Sequence, residues 1–387
     1  LEPIVIIGSG LAGVSFARQY RKLERNAPLV MVTADDGGFY SKPSLSGALA
    51  GRKTAQKLLL KNAAALRREL NATLLTDVAI VRIDTASQVV SGPSGELGYS
   101  RLVLALGSDP ARLPLAGDGA EDVLSVNDLG SYARFRDAIH GRHSVAILGA
   151  GLVGCEFAND LVAAGYAVDV IDIASQPLPR LLPPEPGLAL RDALGEAGVR
   201  WHLGRAAVSV ARTDAMQPRS PLVVTLNDGR TIQADVVLSA AGVEPRTHLA
   251  EAAGLAVNRG IVVDAFLRSS DRHIYALGDC AEMNGSMRPH IAPIALGARA
   301  LAWSFHKKEH AANYPPMPVI INTPALPVVA CPPQIDDTGR WHVRRLSGGM
   351  LARFIDHEGR LMGFALTGSA CAKRHDLVRE LSAPLPG

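Results

Sequence analysis

At 387 residues the chain can bury large cores and should form two or three domains. Apolar residues make up 48%, charged residues 20% and the net charge is +3, which fits a water-soluble globular enzyme. No basic run with interleaved aromatics points to nucleic acid, and no apolar run reaches the roughly 20 residues of a membrane span. No charged start with an apolar core suggests export, and Leu1 in place of Met suggests a trimmed start.

Ile4 to Ile7 reads as an apolar strand leading into Gly8-Ser9-Gly10-Leu11-Ala12-Gly13. A helical pattern follows to about Leu23, then a strand from Pro28 to Val32. The order strand, glycine turn, helix, strand is that of a dinucleotide-binding unit. The first glycine permits a tight turn, the second lets a pyrophosphate approach the backbone, and the third lets helix and strand pack closely. The helix N-terminus then directs unpaired N–H groups at the phosphates. After the second strand, Asp35 or Asp36 can reach a ribose, or backbone groups of Thr33 and Ala34 can do so.

The same plan recurs from Val145, and two such units in one chain imply two dinucleotides held face to face with a hydride passing between them. FAD on the first and NADH on the second is the economical reading. On that reading Lys42, fixed beside Pro43, can project toward the flavin, where a cation stabilises the reduced, anionic ring. From Leu74 to Ser108 the pattern is β-like, with a small antiparallel ribbon around Asp84-Thr85-Ala86-Ser87 and a buried strand at 102–107. Pro110 and Pro114 mark a linker.

The second unit runs Val145 to Leu148, Gly149-Ala150-Gly151-Leu152-Val153-Gly154, a helix, and a strand ending on Asp172. Asp172 lies where a carboxylate binds ribose hydroxyls and repels a 2′-phosphate; no Arg follows before Arg180, so NADH is expected over NADPH. Glu156, just past Gly154, can face the nicotinamide and flavin, while Cys155 reads as a packing residue. A proline-rich connection, 177–184, precedes a helix expected at 188–197, and Asn227-Asp228-Gly229-Arg230 reads as a hairpin turn.

At Asp235 the chain is expected to return to the first domain. The stretch 236–246 repeats the plan of 102–110: apolar strand, small residues, Gly, acid, Pro. In His273-Ile274-Tyr275-Ala276-Leu277-Gly278-Asp279-Cys280-Ala281, Asp279 can meet the ribityl hydroxyls, with a helix after it aimed at the flavin. Short strands after 316 and a helix from about Ala372 to Leu381 form a last segment without a nucleotide motif. The expected class is α/β: two Rossmann-like three-layer dinucleotide-binding domains plus a small α+β C-terminal domain. The expected domains are 1–113 with 236–315 for FAD, 114–235 for NADH, and 316–387.

The four cysteines, Cys155, Cys280, Cys331 and Cys371, form no CxxC pair and no metal-site spacing, which fits free thiols in a reducing cytoplasm. No metal ligand set is expected.

GSGLAG at 8–13, LGAGLVGCE at 148–156, the turns at 105–107 and 240–242, and YALGDCA at 275–281 resemble the two-dinucleotide flavoprotein pyridine nucleotide reductases. TADDGGFYSKPSLS at 33–46, GCEFANDL at 154–161, AAGLAVNRGIVVD at 252–264, INTPALPVV at 321–329 and GFALTGSA at 363–370 narrow the resemblance to NADH:rubredoxin reductases of bacterial alkane oxidation. The resemblance implies FAD contacts from Lys42, Glu156, Asp279 and the backbone near Ile80 and Ile291. It also implies single-electron transfer to rubredoxin, feeding an oxygenase or an oxygen-detoxifying protein, from a monomer or homodimer. Asn322 departs from the pattern, since related reductases tend to carry Lys there, which implies altered flavin electrostatics. No cysteine lies in Ser41-Lys42-Pro43-Ser44, so electrons must leave for an external acceptor. Arg344, Arg345, Arg353, Lys373 and Arg374 are candidates for a basic face that steers an acidic carrier. Alternatives are a ferredoxin reductase, a quinone-reducing dehydrogenase, disfavoured by the short proline-interrupted tail, and a non-catalytic nucleotide sensor.

Overall fold

The computed structural model describes residues 2–214, 216–217, 220–288, 290–334 and 336–382. The chain divides into two compact units. The first comprises Leu1–Lys42, Lys57–Asp109 and Val243–Tyr314, and the second comprises Pro43–Gln56, Pro110–Gly242 and Pro315–Gly387.

The first unit is built on five parallel strands in the order Ile274–Ala276, Arg101–Leu104, Ile4–Ile7, Leu29–Val32, Thr73–Leu75. Val5, Ile6, Leu102, Val103 and Ile274 are fully buried, as strands covered on both faces require. Helix Leu11–Leu23 buries Val14, Phe16, Ala17 and Tyr20, and Phe16 and Tyr20 meet the Phe305 ring of helix Ile291–His306 edge-on. Arg82–Asp84, Val89–Gly92 and Gly95–Gly98 form the small antiparallel ribbon expected near residue 85.

The second unit repeats the plan with strands in the order Leu124–Ser125, Val236–Ser239, Ser144–Leu148, Ala167–Asp172, Val199–Leu203, all parallel. A three-stranded antiparallel layer, Ala207–Arg212, Leu222–Leu226 and Thr231–Ala234, carries the hairpin turn at 227–230, where Gly229 has φ +84°. Residues 319–368 add a five-stranded antiparallel sheet. Helix Arg374–Leu381 closes it through Leu377, Val378 and Leu381, which join Leu351, Phe364 and Leu366 in one apolar cluster.

The structure corrects two boundaries. Val236–Ser239 does not return to the first unit: it pairs along Ser144–Leu148 and is buried in the middle of the second sheet. The chain crosses over only after Gly242. The repetition between 102–110 and 236–246 therefore marks equivalent strands, each beside the first strand of its own sheet. The segment expected to stand alone from 316 has its own apolar cluster but groups with the second unit, as does 43–56. The helix expected at 188–197 starts earlier, at Pro184, because proline suits the first helical position.

Candidate functional site

The two glycine turns have the same geometry. Gly8 has φ +112° and Gly149 has φ +117°. A Cβ on Gly8 would lie 2.2 Å from the Ala105 carbonyl oxygen, and one on Gly149 would lie 2.6 Å from that of Ala240. At Gly13 and Gly154 an added Cβ would meet the carbonyl oxygens of Gly8 and Gly149 at 2.0 Å, so each helix sits tight on its turn. Gly10 and Gly151 are different: nothing lies within 4 Å of a Cβ built there. Both are helix N-caps, and neither helix has a side-chain cap. Each unit thus leaves an open face of uncapped N–H groups, with Leu11 and Ala12, or Leu152 and Val153, in the first turn. That is the shape and charge a diphosphate needs, so both turns fit the dinucleotides that the sequence implies.

Each turn is also tied to an acid. Asp172 accepts the backbone N–H of Ala150 at 2.5 Å through one oxygen and that of Ala174 at 2.7 Å through the other. In the first unit Thr33 stands in the equivalent place, directly after the strand residue paired with Ile7. Thr33 is buried and donates to Asp35 Oδ1 at 2.7 Å, which also accepts from Ser9 Oγ at 3.3 Å and the Gly37 N–H at 3.0 Å. None of these three bonds uses Asp35 Oδ2. Asp36 turns away to the Gly38 N–H. Of the groups left open by the sequence, the structure brings Asp35 to the turn, while Ala34 is exposed beside it. Thr33 also accepts from the Val78 N–H at 3.0 Å, which brings in the loop carrying half-buried Ile80.

Lys42 and Asp279 meet. Lys42 Nζ lies 3.6 Å from Asp279 Oδ2, which accepts from Ser108 Oγ at 2.9 Å. Gly278 has φ +88°, and a Cβ on it would come within 2.7 Å of the Ala12 side chain. The motif around Asp279 is thereby held against the first turn of the glycine-rich helix. Ser108 went unrecognised in the sequence because it follows a strand-ending glycine and reads as a turn residue. The helix expected after Asp279 does not follow it at once. Ala281–Met283 and Ser286–Met287 form a hairpin through Asn284 and Gly285, both at positive φ, as an Asn-Gly turn favours. The helix begins only at Ile291, which is half exposed at its first position.

Glu156 is buried on helix Leu152–Ala163. Its carboxylate accepts from Ser46 Oγ and from the Asn322 backbone N–H at 2.8 Å. Burial pushes its pKa up, against the lowering effect of those hydrogen bonds. Two further polar side chains follow on the same face, and the sequence reading missed both. Asn159 accepts the Ala325 N–H at 3.1 Å, and Asp160 accepts the N–H groups of Leu49 at 2.7 Å and Ala50 at 3.0 Å. Their available signal was spacing: positions 156, 159 and 160 put three polar residues on one stripe of an otherwise apolar helix. Burial raises the Asp160 pKa as well. Together the three fix two segments, 46–50 and 322–325. Cys155 is buried, with its thiol pKa raised by desolvation, and is no nucleophile.

The proline-rich connection folds back on the second turn. Leu178 is buried, has φ +54° and donates its N–H to the Ala150 carbonyl at 2.9 Å. A leucine held there stores roughly 1–3 kcal/mol of backbone strain, a feature that collects at ligand-binding sites.

Of the basic candidates near the C-terminus, Arg344, Arg345 and Lys373 are exposed and Arg374 is half-buried. Arg344 and Arg345 lie on the edge strand Arg340–Leu346, with Arg340 and His342 exposed beside them. Arg353 is ion-paired with Glu380. Among the described residues no helix is long and apolar enough to cross a membrane.

The chain matches the pyridine nucleotide-disulphide oxidoreductase family over residues 2–298 and the rubredoxin binding C-terminal domain over residues 311–381. It is 44% identical to a rubredoxin-NAD(+) reductase of Alcanivorax borkumensis over 386 residues, 100% of each chain. It is 40% identical to a rubredoxin-NAD(+) reductase of Acinetobacter baylyi, covering 98% of each. Its fold superposes on the crystal structure of a ferredoxin reductase from Rhodopseudomonas palustris with a TM-score of 0.88 at 25% identity, over 99% of this chain and 96% of that one. With both glycine turns inside the matched residues 2–298, this protein belongs to the pyridine nucleotide-disulphide oxidoreductase family.

Proposed function

We propose that this chain is an FAD-dependent NADH:rubredoxin oxidoreductase. The observation that carries the reading is the doubled cradle: two open glycine turns in one chain, each with a carboxylate tied to it. The match of residues 311–381 to a rubredoxin binding domain, and the full-length relatives, support the acceptor.

A bound FAD would supply the redox chemistry that links a two-electron hydride donor, NADH, to a one-electron carrier. The chain's own residues have the following parts. Gly8, Gly10, Leu11, Ala12 and Gly13 hold the FAD diphosphate, and Asp35, with Thr33 and Ala34, holds its ribose. Asp279 meets the ribityl hydroxyls, and Lys42 beside it supplies positive charge to the ring. Ile80 and the first turn at Ile291 border the same group. Gly149, Gly151 and Gly154 hold the NADH diphosphate, and Asp172 accepts its ribose hydroxyls and repels a 2′-phosphate. Glu156 orders the segments around 46 and 322 by accepting hydrogen bonds from both.

The four cysteines form no disulfide. This supports a reducing cytoplasm as the compartment, and an acceptor outside the chain, such as the rubredoxin of an alkane-hydroxylating or oxygen-detoxifying system.

Stopped-flow mixing with NADH tests the reading. The flavin band should bleach quickly and recover quickly on a second mix with oxidised rubredoxin, but not with a plant-type ferredoxin. Recovery with ferredoxin alone would overturn the acceptor. No bleaching would overturn the pairing of the two nucleotide sites.

A further inference from the structure

The connection between Asp172 and helix Pro184–Glu196 is more ordered than its sequence suggests. Leu178 and Leu182 are both buried, and Gln176, also buried, donates its side-chain amide to the Leu182 carbonyl at 3.0 Å. Leu178 is bonded to Ala150, the residue between the first two glycines of the second turn. Four prolines, at 177, 179, 183 and 184, stiffen the rest. The loop is thus fixed at both ends and pinned to the phosphate turn in its middle. Its exposed residues are Ile173 and Ser175 at the start and Pro179 and Arg180 at the tip. Among the described residues, Arg180 has neither an ion pair nor a hydrogen-bond partner.

A free guanidinium on a preorganised loop, two residues from an anchor on an anion-binding turn, is an unused charge at the place where an anion is expected. On or beside the sheets of the second unit, Arg200 is engaged with Asp169, Arg205 and Arg230 with Asp228, and Arg212 with Asp122, while Arg112 and Arg134 are exposed as Arg180 is. The strained Leu178 both buries its side chain and seats the loop on this turn. We infer that Arg180 binds the diphosphate of NADH and is a determinant of its affinity, an inference that rests on the NADH site proposed above. Asp172 selects at the ribose; Arg180 supplies the charge-assisted, two-pronged bond to phosphate that backbone N–H groups alone do not make. Because the loop backbone is already ordered, the entropy lost on binding is confined to the Arg180 side chain.

The test is calorimetric and uses the oxidised holoenzyme with three probes: ADP-ribose, its 2′-phosphorylated analogue, and adenosine as a competitor lacking phosphate. Arg180→Ala should weaken ADP-ribose roughly tenfold or more, leave adenosine unchanged, and make ADP-ribose binding less sensitive to salt. Arg180→Lys should recover part of the loss. Unchanged ADP-ribose affinity in Arg180→Ala would overturn the assignment, as would a loss confined to the 2′-phosphorylated analogue, which would place the arginine at the ribose. A parent protein that binds none of the probes and does not bleach with NADH would show that the NADH site itself has been misread.

Discussion

Asp172 and Ala150 lie on neighbouring strands' ends and are joined at 2.5 Å, so the ribose acid and the phosphate turn of the second unit are one rigid piece. The carboxylate is therefore fixed against the turn, and in the proposed NADH site it would discriminate against a 2′-phosphate. Asp172→Ala should raise the KM for NADH about tenfold while lowering that for NADPH, so that the ratio of the two kcat/KM values falls by about a hundredfold or more. Steady-state kinetics with both nucleotides checks this; an unchanged ratio would remove Asp172 from the site.

Lys42 is held 3.6 Å from Asp279 with its side chain partly open to solvent. In the proposed site its charge favours a reduced, anionic ring. Lys42→Met removes that charge and leaves Asp279 without its counter-ion. The flavin midpoint potential should fall, by about 30 mV for each 1.4 kcal/mol of lost stabilisation in a two-electron couple. Spectroelectrochemical titration of the two proteins checks it, and a potential equal to or above that of the parent would count against Lys42.

These two predictions rest on parts of the site that periodicity and glycine spacing made legible. Both turns, Asp172, Lys42 and Asp279 come from local patterns: a strand, a turn and an acid close in sequence. What the sequence hid is long-range. Asp35 comes to the first turn through Ser9, 26 residues away, where Thr33 stands in the position equivalent to Asp172. Ser108 reaches Asp279 across 171 residues, and Asp160 reaches Leu49 across 111. Val236–Ser239 was misassigned because an internal repeat says which strands are equivalent and not which sheet each one joins. The hairpin after Asp279 was legible in Asn284-Gly285, but the functional pattern before it drew the helix reading instead.

Asp160 offers a pH-dependent check on the buried stripe. Its folded pKa is raised by burial, so the folded state binds its proton more readily than the unfolded chain. The contribution is therefore fully present below the unfolded pKa, about 4, and declines as pH rises through the higher folded value. Asp160→Asn has no such titration. The stability gap between parent and variant should be largest in acid and narrow as pH rises above about 4, measured by urea unfolding across that range. A gap that widens with pH would mean that the carboxylate is stabilised as the anion. Asp160→Ala should follow the same pH profile as Asp160→Asn but lie below it by roughly 1–3 kcal/mol, since it removes every acceptor from two backbone N–H groups.

Docking of an acidic carrier gives the last prediction. The edge strand Arg340–Leu346 carries Arg340, His342, Arg344 and Arg345 exposed, with no strand beyond it among the described residues. Charge on an edge discourages pairing with another sheet, and it also steers a partner of opposite sign. These two roles predict different kinetics. If the strand guides rubredoxin, replacing Arg344 and Arg345 together by Glu should slow flavin reoxidation by rubredoxin about tenfold at low salt, and the deficit should shrink as salt rises. The bleaching step with NADH should keep its rate, because neither arginine lies near a glycine turn in sequence or belongs to the nucleotide sheet of its unit. If the arginines only protect the edge, reoxidation by the Glu variant will be unchanged at every salt concentration, because Glu keeps the edge charged, while replacing both by Val will instead give a concentration-dependent increase in mass by light scattering.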